Sequence, residues 1–329
     1  MYKKLIQQLT RYSLVAYHSL YYYKKRPLKV DYPFKLQNLE LTNKCPMKCI
    51  MCVRTYKMTR SQGFMDIRVF KKIIDEISGL DAPFIHEEGF WLHHFGESLL
   101  HPEFDKMLRY CYEKGVKAGL SVNPLVMGKK IAKRLIDARP NLLYFSLDGH
   151  DDESFYKIRG VPNAYGKSKE NILYFLEIKK EVGSKIKAII SMIDFPKNRD
   201  SIDKMFDYWR KMEGIDEVYL KPFLVWTGEV EKIKRLVFES SKSSDVDPVE
   251  ERGGRVKCYY PWSSMSITWD GDVVPCCNDY DKKYVLGNVK DRSLSEIWNG
   301  GKMQQLRKEF LSGNVENPLC KKCHFLYKW

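Results

Sequence analysis

From position 37 onward, short apolar runs alternate with stretches in which apolar residues recur at helical spacing. Residues 37–41 predict a strand with Leu39 and Leu41 on one face, and 67–77 predict an amphipathic helix. A second strand is expected over 89–95. A helix over 103–114 follows, closed by Gly115, and a third strand covers 116–122. The helix expected at 128–139 is stopped by Pro140. A fourth strand at 142–147, a helix at 167–182, a fifth strand at 186–193, a helix at 200–212 and a sixth strand at 217–220 complete the series. Strands that alternate with helices predict an α/β fold, its parallel sheet closed or partly closed into a barrel. The polar motifs fall at or just beyond the C-terminal ends of the strands, where such barrels carry their sites.

The flanks differ. In residues 1–36, Leu5, Leu9, Tyr12, Ala16 and Leu20 share one helical face, and the basic, aromatic run YYYKKR follows. Such a segment fits either a helix packed on the body of the protein or a peripheral contact with an anionic or membrane surface. Residues 238–256 are rich in Ser, Asp and Gly and read as a linker. The expected division is therefore a basic extension at 1–36, a barrel at 37–237, a linker at 238–256 and a cysteine-bearing module at 257–329. No apolar run reaches the 18 residues of a membrane span, and no signal-peptide cleavage pattern is present, so a cytoplasmic chain is expected, with contact at the inner membrane face as the one extension of that reading.

Charge adds one fact. The net charge is +14, but residues 1–37 hold eight Lys or Arg against Asp31 alone. A basic segment of this kind is not a nucleic-acid surface, and no nucleic-acid partner is expected.

Cysteine placement adds the chemistry. Eight of the nine cysteines lie in two regions, 45–52 and 258–323, and only Cys111 stands apart. Clusters without a secretory signal point to metal ligation rather than disulfides. Cys45, Cys49 and Cys52 in LTNKCPMKCIMCVRT have the spacing Cys-x3-Cys-x2-Cys. Three such thiolates can hold three irons of a [4Fe–4S] cube and leave the fourth open, as a catalytic metal site requires. Cys111 reads as a buried apolar residue.

CPMKCIMC, followed in order by FGESLLHP, SVNP and FSLDG along an alternating β/α chain, resembles the radical S-adenosylmethionine (SAM) superfamily over roughly residues 37–225. The resemblance implies a partial (β/α)6 TIM-like barrel whose open iron is chelated by SAM. One electron would cleave SAM to a 5′-deoxyadenosyl radical, which takes hydrogen from the substrate. It also implies roles for single residues. Glu97 of Gly96-Glu97-Ser98 would meet the SAM ammonium, although Ser98 stands where the family has Pro. Ser121 and Asn123 match a ribose- and methionine-contacting pair, with Pro124 where Gly is common. Ser146 and Asp148 end the fourth strand as further cofactor contacts. Arg159 would pair with the methionine carboxylate. Ser191 and Met192 would lie towards adenine, and Met51 replaces an aromatic that often contacts it.

The second cysteine group resembles the SPASM/twitch auxiliary domain, a small α+β module of such enzymes. Asp270-Gly271 predicts a hairpin turn ahead of Cys276, and Cys320-x2-Cys323 lies near the end. The seven cysteines of the full pattern are not matched. Cys258, Cys276, Cys320 and Cys323 remain, a count that fits one fully ligated second [4Fe–4S] cluster and also a structural zinc. Cys277 is expected to be structural. The cofactors implied are SAM, its [4Fe–4S] cluster and the auxiliary [4Fe–4S] cluster. A donor such as flavodoxin or ferredoxin would supply electrons.

The function expected is a radical SAM oxidoreductase acting on a small-molecule or sugar substrate. The 36 residues ahead of the barrel fall short of a winged-helix peptide-recognition domain. The alternative is a peptide- or protein-modifying maturase that cross-links, epimerises or oxidises. An electron carrier that binds no SAM is disfavoured by the motifs at the strand ends. No catalytic residue is assigned. His86, His93, His94 and His101 gather around the second strand, and Lys221 and Trp226 after the sixth either touch substrate or close the barrel mouth.

Overall fold

The computed structural model describes residues 24–31, 34–80, 89–194, 198–223, 226, 229–238, 258–321 and 323. Most of the basic extension, nearly all of the linker and His86 lie outside them. The expected alternation is present. Strands β1 (Lys35–Leu39), β2 (Phe90–Trp91), β3 (Ala118–Val122), β4 (Leu142–Ser146), β5 (Lys187–Asp194) and β6 (Glu217–Pro222) pair in sequence order, all parallel. Between and after them run α1 (Val53–Tyr56), α2 (Ile67–Ser78), α3 (Phe104–Glu113), α4 (Lys129–Ala138), α5 (Asp152–Arg159), α6 (Tyr165–Glu181), α7 (Arg199–Trp209) and α8 (Glu231–Phe238).

Local sequence explains these elements. Phe70, Ile73, Ile74 and Ile77 give α2 one buried stripe, and the Asp66 carboxylate caps it by accepting from the Arg68 amide. On β4, Leu143 and Phe145 are fully buried, and Phe145 meets Phe175 of α6 at 5.4 Å. Tyr144 and Ser146 alternate with them and are only half-buried, so they face the barrel interior. Gly115 follows the C-cap residue Lys114 of α3 at φ +69, one step beyond the expected helix end.

Helix α5 has no counterpart in the sequence expectation. A reciprocal capping box between Asp151 and Ser154 starts it, and left-handed Gly160 ends it. Only Phe155 and Ile158 of its eight residues are buried, which leaves no long apolar period to read.

The C-terminal module contributes β7 (Ser264–Ile267), β8 (Asp272–Val274), β9 (Gly287–Asn288), α9 (Leu294–Trp298) and α10 (Gly301–Ser312). The Asp270-Gly271 turn forms as expected, with Gly271 at φ +92 and β7 antiparallel to β8. Strand β7 pairs parallel with β1, so barrel and module share one nine-stranded sheet, β6-β5-β4-β3-β2-β1-β7-β8-β9. Among the described residues no helix is long and apolar enough to cross a membrane.

Candidate active site at the cysteine loop and barrel mouth

The loop carrying Cys45, Cys49 and Cys52 is held from three sides. From the β2 side, the Glu97 amide donates to the Lys44 carbonyl at 2.8 Å. From α5, the Ile158 carbonyl accepts from the Ile50 amide at 3.0 Å. From beyond β6, the Trp226 indole donates to the Met51 carbonyl at 3.0 Å. Met51 itself is buried. Burial pushes the Cys45 thiol up to about 12 and raises that of Cys52 as well, so the bare loop favours protonated thiols. Binding a cationic iron–sulfur centre there releases those protons.

Around the loop lie the residues singled out at the strand ends. Glu97 is buried, and its carboxylate accepts from the amides of Asn123 at 2.7 Å and Leu99 at 3.1 Å. Burial nevertheless raises its carboxyl to about 7. The Ser121 and Ser146 hydroxyls share a hydrogen bond at 3.0 Å across β3 and β4. Asp148 is fully buried, with Oδ1 accepting from the Ile193 amide at 2.7 Å and from Asn198 Nδ2 at 3.3 Å. Its other oxygen is ion-paired with Arg159, whose Nη1 also lies 3.6 Å from Cys49 Sγ. Arg159 therefore reaches one of the three loop thiols while bound to Asp148. Ser191 is buried on β5, paired in register with Ser146; Met192 beside it is fully buried.

Two buried donors, Asn123 Nδ2 and Arg159 Nε, have no hydrogen-bond partner among the described residues. Orphaned donors beside Glu97 and the thiols suit a polar, zwitterionic cofactor, because burying them unpaired costs about 1–3 kcal/mol each. The residues present thus fit SAM and an iron–sulfur cluster.

The second group of thiols also converges. Cys258 is pushed up to about 12, first by burial and then by the nearby sulfurs of Cys323 and Cys277. Cys320 is raised by burial and by Cys323 and Cys258, and Cys276 by its bond with Cys277 and by burial. Asn317 places Cys320 by accepting its amide at 2.9 Å, and the Cys323 amide bonds the Cys320 carbonyl at 2.9 Å. With Cys277 bonded to Cys276 and acting on Cys258, five sulfurs from three separated segments gather here, enough for a fully ligated cluster. Cys111 is buried in α3, as expected of an apolar residue.

Several residues at this site have no motif to announce them. His94 Nε2 bonds the Cys277 carbonyl at 2.8 Å and joins the second strand to the auxiliary module. Gln37 Nε2 lies 3.4 Å from the Tyr260 hydroxyl beside the same module. Glu40 takes amide hydrogens from Phe95 at 3.1 Å and Trp269 at 3.2 Å. Arg60 bonds the Tyr280 carbonyl at 2.7 Å, and its amide bonds Asp281 at 3.0 Å. His101 is buried and bonds the Met65 carbonyl at 2.9 Å, a packing role. The period-two alternation of Trp91 with His93, Tyr144 with Ser146 and Tyr219 with Lys221 was the available signal for the inner wall.

Comparison with known proteins identifies the arrangement. The family model for the radical SAM superfamily matches residues 39–208, just over half of the 329 residues. The chain belongs to the radical SAM superfamily. A second model, SPASM, an iron-sulfur cluster-binding domain, matches residues 258–324. The cofactors of this radical SAM enzyme are SAM, the [4Fe–4S] cluster that binds it and a [4Fe–4S] cluster in the SPASM module. It is similar to the tungsten-containing aldehyde ferredoxin oxidoreductase cofactor-modifying protein of Pyrococcus furiosus, 25% identical over 87% of this chain and 86% of that protein. It is similar to the S-adenosyl-L-methionine-dependent 2-deoxy-scyllo-inosamine dehydrogenase of Niallia circulans, 22% identical over 90% and 94%. It also resembles the antilisterial bacteriocin subtilosin biosynthesis protein AlbA of Bacillus subtilis, 24% identical over 90% and 66%. Among solved structures, BtrN in complex with AdoMet and 2-DOIA matches with a TM-score of 0.55 at 17% identity, over 90% of this chain and 94% of that one. Streptococcus suis SuiB bound to precursor peptide SuiA matches with a TM-score of 0.60 at 16% identity, over 99% and 75%. These likenesses establish the partial barrel with its C-terminal module.

Proposed function

We propose that this radical SAM enzyme is an oxidoreductase that removes hydrogen from a small-molecule or sugar substrate. The observation that carries the oxidative reading is the His94–Cys277 hydrogen bond, which fastens the auxiliary cysteine segment to the C-terminal end of β2, at the barrel mouth. Cys45, Cys49 and Cys52 hold the catalytic cluster. Glu97, Ser121, Asn123, Ser146, Arg159, Ser191 and Met51 surround SAM, with Asp148 orienting Arg159. Cys258, Cys276, Cys320 and Cys323 hold the auxiliary cluster. The barrel begins with β1 at Lys35, two residues before the expected boundary, and runs to 237, and the module spans 257–329. When bound, the first cluster and SAM would supply the one-electron chemistry that removes hydrogen from the substrate, and the second cluster would supply an acceptor for the electron left behind. The chain's own task is to orient SAM and exclude water.

The small-molecule reading is supported by two relatives matched over 86% and 94% of their own lengths, one named for a cofactor and one for an inosamine. A second reading, peptide modification, is favoured by the match to the subtilosin biosynthesis protein over 90% of this chain. A flavodoxin- or ferredoxin-type donor supplies electrons in either case.

The test is anaerobic reconstitution followed by dithionite and SAM. About eight irons per chain, falling to about four in the Cys45/Cys49/Cys52→Ala variant, are expected. Formation of 5′-deoxyadenosine should then rise with small-molecule extract and not with peptide fractions. A rise with peptide fractions alone overturns the small-molecule reading.

A further inference from the structure

The barrel interior carries a cation that no described carboxylate neutralises. Lys221 of β6 pairs in register with Ile193, on the strand face shared by Tyr219 and, across the sheet, by Ser191 and Ser146. That is the inward face, since Ala188, Ile190 and Met192 of β5 are buried on the other. The Lys221 ammonium sits 4.8 Å from the centre of the Tyr144 ring. No described residue forms an ion pair with it, and the acid whose charge reaches it, Asp148, is already bound to Arg159 and two nitrogen donors.

Tyr144 belongs to an aromatic wall. Its ring lies 4.9 Å from that of Trp91 and 5.8 Å from that of Tyr219. Gly119 makes room for this wall, because a Cβ there would sit 3.2 Å from the Trp91 ring. His93, two residues beyond Trp91 on the same face, has a buried Nδ1 without a hydrogen-bond partner. Burial, Lys221 and His94 hold that imidazole neutral, down to about 3.

An ammonium on the inward face is expensive to bury unpaired, and a tyrosine face offsets only part of that cost. Burial pulls Lys221 down to about 8, with Asp148 opposing and Arg159 assisting, so it stays mostly charged at neutral pH. The missing counter-charge is then most simply supplied by a ligand. SAM's own carboxylate has a separate candidate in Arg159, beside Cys49.

We infer that Lys221, with the Trp91–Tyr144–Tyr219 wall, forms the substrate-anchoring subsite and takes a ring-shaped molecule that carries a carboxylate or phosphate. The inference rests on the small-molecule reading above and gives that substrate its chemistry. The ring lies against the aromatic faces, and the anion meets Lys221 with the neutral His93 beside it.

The test uses reconstituted holoenzyme with SAM bound, titrated anaerobically by calorimetry with glucose 6-phosphate, glucuronate and glucose. The wild type is expected to bind an anionic sugar at least about tenfold more tightly than glucose. The Lys221→Met variant should lose that preference and Lys221→Arg should keep most of it. Whichever of phosphate and carboxylate binds better names the anion. SAM affinity is read on the same samples and should change less than about twofold in Lys221→Met. A tenfold loss of SAM affinity in that variant overturns the inference, because Lys221 would then be serving SAM's carboxylate. Absence of anion preference in the wild type, or its survival in Lys221→Met, overturns the subsite and leaves the small-molecule reading standing. Binding of a hexaglutamate peptide through Lys221, with neither sugar anion bound, overturns both.

Discussion

Arg60 grips Glu40 with both arms of its guanidinium, Nη1 to Oε2 at 2.6 Å and Nη2 to Oε1 at 2.5 Å, with only 4% and 0% of the two side chains exposed. Glu40 directly follows β1, whereas the other partners of Arg60 belong to the auxiliary module. The pair thus ties the barrel to the module in the stretch between the cysteine loop and α2. Breaking such a pair leaves one buried charge alone. Glu40→Ala is expected to cost about 3–5 kcal/mol in urea unfolding, with both modules loosened together. An unchanged urea midpoint would show that the pair contributes nothing.

Gly96 sits at φ +110 against the backbone before the cysteines. A Cβ there would lie 2.3 Å from the Thr42 carbonyl oxygen and 2.6 Å from Asn43 Cα. Backbone cannot yield as a side-chain tip can, so Gly96→Ala must shift the loop that presents Cys45 and Glu97. A destabilisation of roughly 2 kcal/mol or more is expected, together with loss of the iron lost in the triple-cysteine variant. Full iron incorporation in Gly96→Ala would contradict this.

His93 and His94 remain neutral in the folded chain, burial holding each near 3 in place of 6.5. The unfolded chain therefore binds two more protons as pH falls below about 6.5, and stability is lost on that side by up to about 2.7 kcal/mol per pH unit. Glu97 acts oppositely. Its carboxyl is raised from 4.5 to about 7, so the folded chain holds a proton that the unfolded chain has released, and stability falls as pH rises through that window. Between about 4.5 and 6.5 the two effects partly cancel, leaving the acid slope near half its full value. Urea midpoints of the metal-free chain from pH 4 to 8 should show the rise between about 4.5 and 6.5 reversed to a fall in His93→Gln/His94→Gln and about doubled in Glu97→Gln. Parallel curves for all three proteins would remove these groups as the cause.

Much of this was legible because cluster chemistry and sheet periodicity leave local marks. Three thiols within eight residues, or Leu143 and Phe145 alternating with Tyr144 and Ser146, can be read without knowing what lies opposite. The Asp270-Gly271 turn was equally local. Helix α5 was not seen, although Asp151-x-x-Ser154 was its signal, because two buried residues make no period. The Glu40–Arg60 pair was out of reach for another reason. Its two members are twenty residues apart, and the further partners, Trp269 of Glu40 and Tyr280 and Asp281 of Arg60, lie in the far module. The sequence motif places Asp148 among the cofactor contacts, and its buried bonds to Ile193 and Asn198 become visible only once β4 lies beside β5.

A barrel that does not close has two raw margins, and an unpaired strand there is a template for another chain. On one side β6 ends at Pro222, which offers no amide, and turns the charge of Lys221 inward. On the other, β1 (KLQNL) has neither safeguard, and β7 covers it along Lys35 to Leu39. The pairing passes the exposed margin out to β9, only two residues long. The module that carries the second set of cysteines is therefore also what covers the β1 margin, and a chain cut before Cys258 should self-associate through β1 before any question of its chemistry arises.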